Sequence, residues 1–122
     1  MKAAILRVDP TSEYFFDEGC YITEWSNSAD DPEVSVARAR VAPGGTTRWH
    51  YLVDTSERYV LIEGSGRVEV EGLEPREVTP GDVVIIPPGA RQRIANIAEG
   101  DLVFLAICAP RFRPECYVDA DD

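Results

Sequence analysis

Apolar residues run along this chain in short stretches, punctuated by Gly, Pro, Asp and Asn. Val, Ile and Tyr dominate the stretches, and no 3.6-residue period is sustained. That pattern predicts strands rather than helices. The strands are expected at Ala3–Val8, Cys20–Trp25, Val34–Val41, Thr47–Tyr51, Arg58–Glu63, Gly66–Val70, Arg76–Val78, Asp82–Ile86, Arg91–Asn96 and Leu102–Cys108. Turns are expected at Pro43-Gly44-Gly45, Glu63-Gly64-Ser65-Gly66, Thr79-Pro80-Gly81 and Pro87-Pro88-Gly89. Gly there supplies positive φ, and Pro presets its own. A short helical turn is expected within Thr11–Phe16, and the acidic tail Val118–Asp122 is expected to fray.

Three stretches, Tyr59–Ile62, Val83–Ile86 and Leu102–Cys108, are apolar on both faces. A strand with one wet face would alternate instead. Their outer faces need a cover, either the N-terminal strands or a second subunit. The pattern favours a homodimer.

At 122 residues and 44% hydrophobic the chain suits one domain, residues 1–122, with a single core and room for one small cavity. Residues 1–41 would pack outside the barrel or complete it. The net charge of −10 carries no basic stripe, which speaks against nucleic acid and against an anionic membrane surface. The opening segment MKAAILRVDP is too short in apolar residues for a secretory signal or a membrane span. Cys20, Cys108 and Cys116 form an odd set without CxxC spacing, as reduced thiols of a cytoplasmic protein would. His50 is the one histidine, so a two-histidine site within a subunit is excluded.

Two segments carry spacing with chemical meaning. Gly44 is followed by five residues and His50; Glu57 and Gly64 come next at fixed intervals. Farther on, Gly81, Pro87, Gly89 and Asn96 fall into a second pattern. In these two segments the chain resembles the cupin superfamily, an all-β double-stranded β-helix, or jelly roll. The first cupin motif carries His-x-His and then Glu; the second carries a third His. Here Leu52 stands in the second His position and Gln92 in the third. The resemblance spans barrel motifs 44–64 and 81–96, with two of four ligand positions replaced. It implies one weakly held divalent transition metal (Fe, Zn, Ni or Mn) on His50, Glu57 and Gln92, and no organic cofactor. The same three groups could equally form a hydrogen-bonded polar cluster without metal.

Period-two alternation places Arg48, His50, Leu52, Glu57, Tyr59, Leu61, Gln92 and Ile94 inside the barrel. His50 beside Glu57 could act as an oriented base, and Tyr59 could donate to a developing oxyanion. Arg48 could hold a substrate carboxylate. Leu52, Leu61 and Ile94 make part of the cavity apolar, which suits a small, partly apolar organic ligand bound beside Gln92. The faces of Val34–Val41 and Leu102–Cys108 can be read in either register. Two functions stand side by side: a metal-dependent oxygenase, isomerase or lyase, and a non-catalytic ligand-binding protein that has lost its metal.

Overall fold

The computed structural model describes residues 1–121. In chain order the strands are β1 (Tyr14–Phe16), β2 (Cys20–Ser28), β3 (Asp31–Val41), β4 (His50–Leu52), β5 (Ser56–Glu63), β6 (Gly66–Val70), β7 (Arg76–Val78), β8 (Val83–Ile86), β9 (Gln92–Asn96), β10 (Leu102–Ala109) and β11 (Tyr117–Asp119). They form a six-stranded sheet, β1-β2-β3-β10-β5-β8, and a five-stranded sheet, β11-β4-β9-β6-β7. The pairings are antiparallel, and the two sheets face each other as a jelly roll. The expected all-β, double-stranded β-helix is the observed fold.

Alternation explains the core. Along β5, Glu57, Tyr59 and Leu61 are buried while their neighbours are more exposed; along β9, Gln92, Ile94 and Asn96 are the buried set. Leu61, Ile86, Ile94 and Leu102 meet between the sheets and are almost completely buried. Each such side chain contributes about 1.5–3 kcal/mol of transfer free energy.

Two motif residues are structural. Gly64 has φ +83°, and a Cβ there would lie 2.5 Å from the Asp101 carbonyl oxygen, so only glycine fits the turn after β5. Asn96 ties the end of β3 to the loop between β9 and β10. Its Nδ2 donates to the Val41 and Gly100 carbonyls at 2.9 and 2.8 Å, and its Oδ1 accepts from the Ala98 amide.

The strands differ from the sequence pattern at both ends. Residues Ala3–Val8 form no strand: the segment is exposed and pairs with nothing among the described residues. The helical turn expected within Thr11–Phe16 is a 3-10 turn at Pro10–Ser12. Its N-cap is Asp9, which accepts from the Thr11 amide. The tail does not fray over Tyr117–Asp119, because β11 pairs with β4; Asp122 lies outside the described residues. The strand expected at Thr47–Tyr51 begins only at His50.

The two ambiguous strands resolve together. Ala37 and Ala39 of β3 face inward, opposite Ala106 and Phe104 of β10. Arg38 and Arg40 face outward and both reach Glu13. Small inward residues at 37, 39 and 106 leave space between the sheets, and that space is the cavity.

Candidate functional site

The cavity measures about 70 Å³ and opens between the sheets at the β1–β2 and β11 end. Its walls include Phe16, Phe112 and Tyr117 at the mouth and Tyr59, Phe104 and Cys108 deeper in. Its polar groups are His50, Glu18, Glu24, Glu57 and Ser35. No Lys or Arg side chain lines it.

His50 stands at the start of β4 and is buried. Its Nδ1 lies 2.8 Å from the Arg48 carbonyl oxygen, which can only accept, so Nδ1 carries the proton. Nε2 then faces inward, 3.3 Å from Glu18 Oε2. The ring stacks on Tyr117, with centroids 5.0 Å apart and planes at 20°. β11 thereby fixes the imidazole plane, a duty no motif revealed.

Glu18 is the cavity residue that the sequence pattern did not mark. It sits in the turn between β1 and β2, where Gly19 at φ +105° lets the chain reverse. Its backbone carbonyl accepts from the Arg48 amide at 2.7 Å, which stitches the turn to the approach of β4. Its other carboxylate oxygen accepts from the Cys20 thiol at 3.1 Å. No periodicity marks a turn residue 32 positions before its partner; the β1–β2 turn signal at Asp17-Glu18-Gly19 was the one available clue.

Glu57 enters from β5. Burial pushes its carboxyl up to about 8, and the negative charge of Glu18 adds to the effect. The Gln92 amide and the Cys108 thiol offset this in part. Near neutral pH Glu57 is therefore mostly protonated and can donate. Cys108 Sγ lies 3.7 Å from Glu57 Oε2. Glu57 Oε1 and Gln92 Nε2 are buried with no partner in full hydrogen-bond geometry, although the Gln92 amide lies close enough to Glu57 to lower its carboxyl. The Tyr59 hydroxyl donates to Gln92 Oε1, and the Tyr59 ring packs on Phe104. Burial holds the Tyr59 phenol, and the Cys20 and Cys108 thiols, well above their ordinary values. All three stay protonated in the physiological range.

The structure thus brings His50, Glu57, Tyr59 and Gln92 together, with Leu52 on the cavity wall. Leu61, Ile94 and Gln92 are buried but lie behind the cavity rather than on its wall, Gln92 touching it only through Tyr59. Arg48 is a correction: it is outside, paired with Asp119 of β11 at 2.9 Å. Alternation fails there because residues 47–49 are not strand. Thr47 is the residue that turns inward, exchanging hydrogen bonds with Ile94. With Arg48 on the surface, no cation remains to hold a substrate carboxylate.

A transition metal needs several convergent donors with free lone pairs. Here the free His50 nitrogen is aimed at Glu18, the Gln92 oxygen accepts from Tyr59, and Leu52 offers carbon alone. Among the described residues no group of three His, Cys, Asp or Glu side chains is placed to hold an ion. The residues present do not fit the metal centre that the resemblance implied.

A closed antiparallel double sheet with its polar groups gathered inside one end defines a small single-barrel protein of the jelly-roll class. The family described as "Cupin domain" matches residues 37–108, and the chain belongs to it. The endoribonuclease YbeY of Myxococcus xanthus is 31% identical over 100 residues, which are 81% of this chain. The chain spans about a third of that relative, 34% of its length. An uncharacterized Methanocaldococcus jannaschii protein, MJ1618, is 30% identical over 117 residues, covering 94% of this chain and 93% of its own. Among solved structures, the Streptomyces nucleoside dehydratase Pac13 superposes with TM-score 0.78 at 19% identity, covering 97% of this chain and 92% of that one. Bacillus subtilis oxalate decarboxylase superposes with TM-score 0.77 at 23% identity, over 90% of this chain and 30% of that one. At these identities the likeness is one of fold.

Proposed function

We propose that this protein is a metal-independent acid–base catalyst of the lyase type. Its substrate is a small, uncharged, hydroxyl-bearing and partly apolar molecule. The observation that carries this reading is the presence, in one cavity, of an imidazole whose inward nitrogen faces a carboxylate and of a buried carboxyl that keeps its proton near pH 7.

A proton acceptor and a proton donor in one cavity are what a proton-in, proton-out reaction requires. The facing pair of His50 Nε2 and the Glu18 carboxylate, 3.3 Å apart, takes a proton from a carbon next to an electron-withdrawing group and shares it between them. Glu57 gives its proton to a hydroxyl on the adjacent carbon. The C–H and C–O bonds break, a C=C bond forms and water leaves, so atoms and electrons balance.

The cavity's charge selects the substrate. Glu18 and Glu24 line it beside the neutral Glu57, and no basic side chain does, so a carboxylate or phosphate entering would find no cationic partner. This favours an uncharged substrate, of the kind a nucleoside dehydratase handles, over a dianion such as oxalate. The enclosed part is less than half of the roughly 150 Å³ that accepts benzene. It holds the reacting end of a ligand, with the remainder lying between Phe16, Phe112 and Tyr117 at the mouth.

The test is a ligand panel in matched pairs, each hydroxylated skeleton offered uncharged and as its carboxylate or phosphate. Binding is read by thermal shift and turnover by the appearance of vinylic protons in NMR. Uncharged members should bind and turn over, and His50→Gln and Glu57→Gln should keep binding while losing turnover. Tighter binding of the anionic members, or full turnover by Glu57→Gln, defeats the proposal. Binding without turnover by any member would leave the non-catalytic binding protein as the correct reading.

A further inference from the structure

The floor of the cavity is a row of side chains that crosses four strands. Glu24 of β2 pairs with Ala37 of β3, Ala37 with Ala106 of β10, and Ala106 with Tyr59 of β5. All of them line the cavity. Three inter-strand spacings of about 4.8 Å set the ends of the row roughly 14 Å apart. Two methyl groups therefore separate a carboxylate at the mouth from the phenol in the interior. A longer side chain at 37 or 106 would stand up into the space; with Ala at both, the floor is flat.

Aromatic rings wall the space above this floor. Phe16 stands steeply to Phe112, at 83° with centroids 6.4 Å apart, and to Tyr117, at 67° and 5.3 Å. Phe112 is held through both of its backbone groups. Its N–H donates to Ser35 Oγ at 2.8 Å, and its carbonyl accepts from Asn27 Nδ2 at 2.9 Å. Ser35 shares the inward face of β3 with Ala37, so the first of these bonds fixes Phe112 beside the floor. That wall is set before a ligand arrives.

The polar group at the mouth is Glu24. Its Oε1 accepts from the Tyr14 hydroxyl at 3.4 Å, the far limit of a hydrogen bond. The carboxylate can exchange so long a contact for a closer donor, and as a carboxylate it only accepts. A flat slot between methyl groups and aromatic rings, ending in an acceptor, complements a flat ring with a donor on its far edge. We propose that Glu24 and Phe112 set the specificity of this cavity. They select a substrate whose far end is a neutral, conjugated ring bearing an N–H or O–H, lying over Ala37 and Ala106. The selection presupposes the acid–base site proposed above, where the other end of the same molecule reacts.

Neutral ring probes, titrated against the protein by NMR on the Glu24 and Ala37 amides, test this. Pyridone is a flat lactam with a free N–H. N-Methylpyridone is the same ring without the donor, and valerolactam keeps the N–H on a saturated ring. Pyridone should bind, and the other two should bind about tenfold more weakly. Glu24→Leu should abolish the preference over N-methylpyridone and keep the preference over valerolactam. Phe112→Leu should shrink the preference over valerolactam and keep the other. Failure of pyridone to bind, or absence of either preference in the wild type, overturns the proposal whatever the variants do. So does a preference that survives its own substitution undiminished in a variant folded by circular dichroism. These titrations make and break no bond, so the lyase reading can fail in its turnover assay while the ring preference stands, and the ring preference can fail while turnover of other skeletons stands.

Discussion

Replacing Glu57 with Gln should stabilise this protein, and the gain should depend on pH in a way that few other effects imitate. Gln keeps the shape and an acceptor for the Cys108 thiol but has no charge to desolvate. In the wild type the carboxyl rises from an ordinary value of 4.5 to about 8 on folding. The folded state therefore holds a proton that the unfolded state releases between those values. With fewer protons bound in the unfolded chain, stability falls as pH rises, by about 1.4 kcal/mol per pH unit. Below about pH 4.5 both states are protonated and Glu57 costs nothing. At pH 7 the cost is about 3 kcal/mol, and it levels near 5 kcal/mol once pH passes the folded value. Glu57→Gln removes it. Urea unfolding of both proteins from pH 5 to 8.5 should give two curves that converge at the acid end and diverge steadily upward. The difference in thermal midpoint should be about 10 °C at pH 7. Other shifted groups, among them Glu13, Glu24 and Asp119, are common to both proteins and cancel in the difference. Parallel curves across that range would refute the claim that Glu57 is buried as a neutral acid.

Three further outcomes follow from the same geometry. Glu18→Gln removes the charge that helps raise Glu57, so the midpoint of the pH-dependent difference measured above should move to lower pH; an unmoved midpoint would separate the two carboxyls. Tyr59→Phe deletes the donor to Gln92 Oε1 and should destabilise by about 1–3 kcal/mol in chemical denaturation, because both ends of a buried amide are then unpartnered. Leu52→His with Gln92→His should create zinc affinity about a hundredfold or more above that of the wild type in competition titrations, since residue 92 pairs directly across from His50 and residue 52 shares its face; no gain would mean that these positions do not converge.

The strand segments and their turns could be read from local residues, because backbone conformation answers to near neighbours. Gly64 shows how far that reaches: a positive φ and a carbonyl oxygen where a Cβ would stand leave no room for another residue, and the spacing marks it. Period-two alternation likewise placed Glu57, Tyr59, Gln92 and Ile94 inward, since an unbroken strand transmits its facing along its length. It failed at Arg48, where residues 47–49 leave the strand and the count slips by one. Long-range association lay beyond any such rule. Glu18 meets His50 because β1 and β2 fold over the mouth of the barrel, and Tyr117 meets it because β11 docks on β4. Neither contact has a local cause, so neither leaves a local trace. The chemistry of the site turns on those contacts: burial and a neighbouring charge set the state of Glu57, and both are properties of where distant segments come to rest.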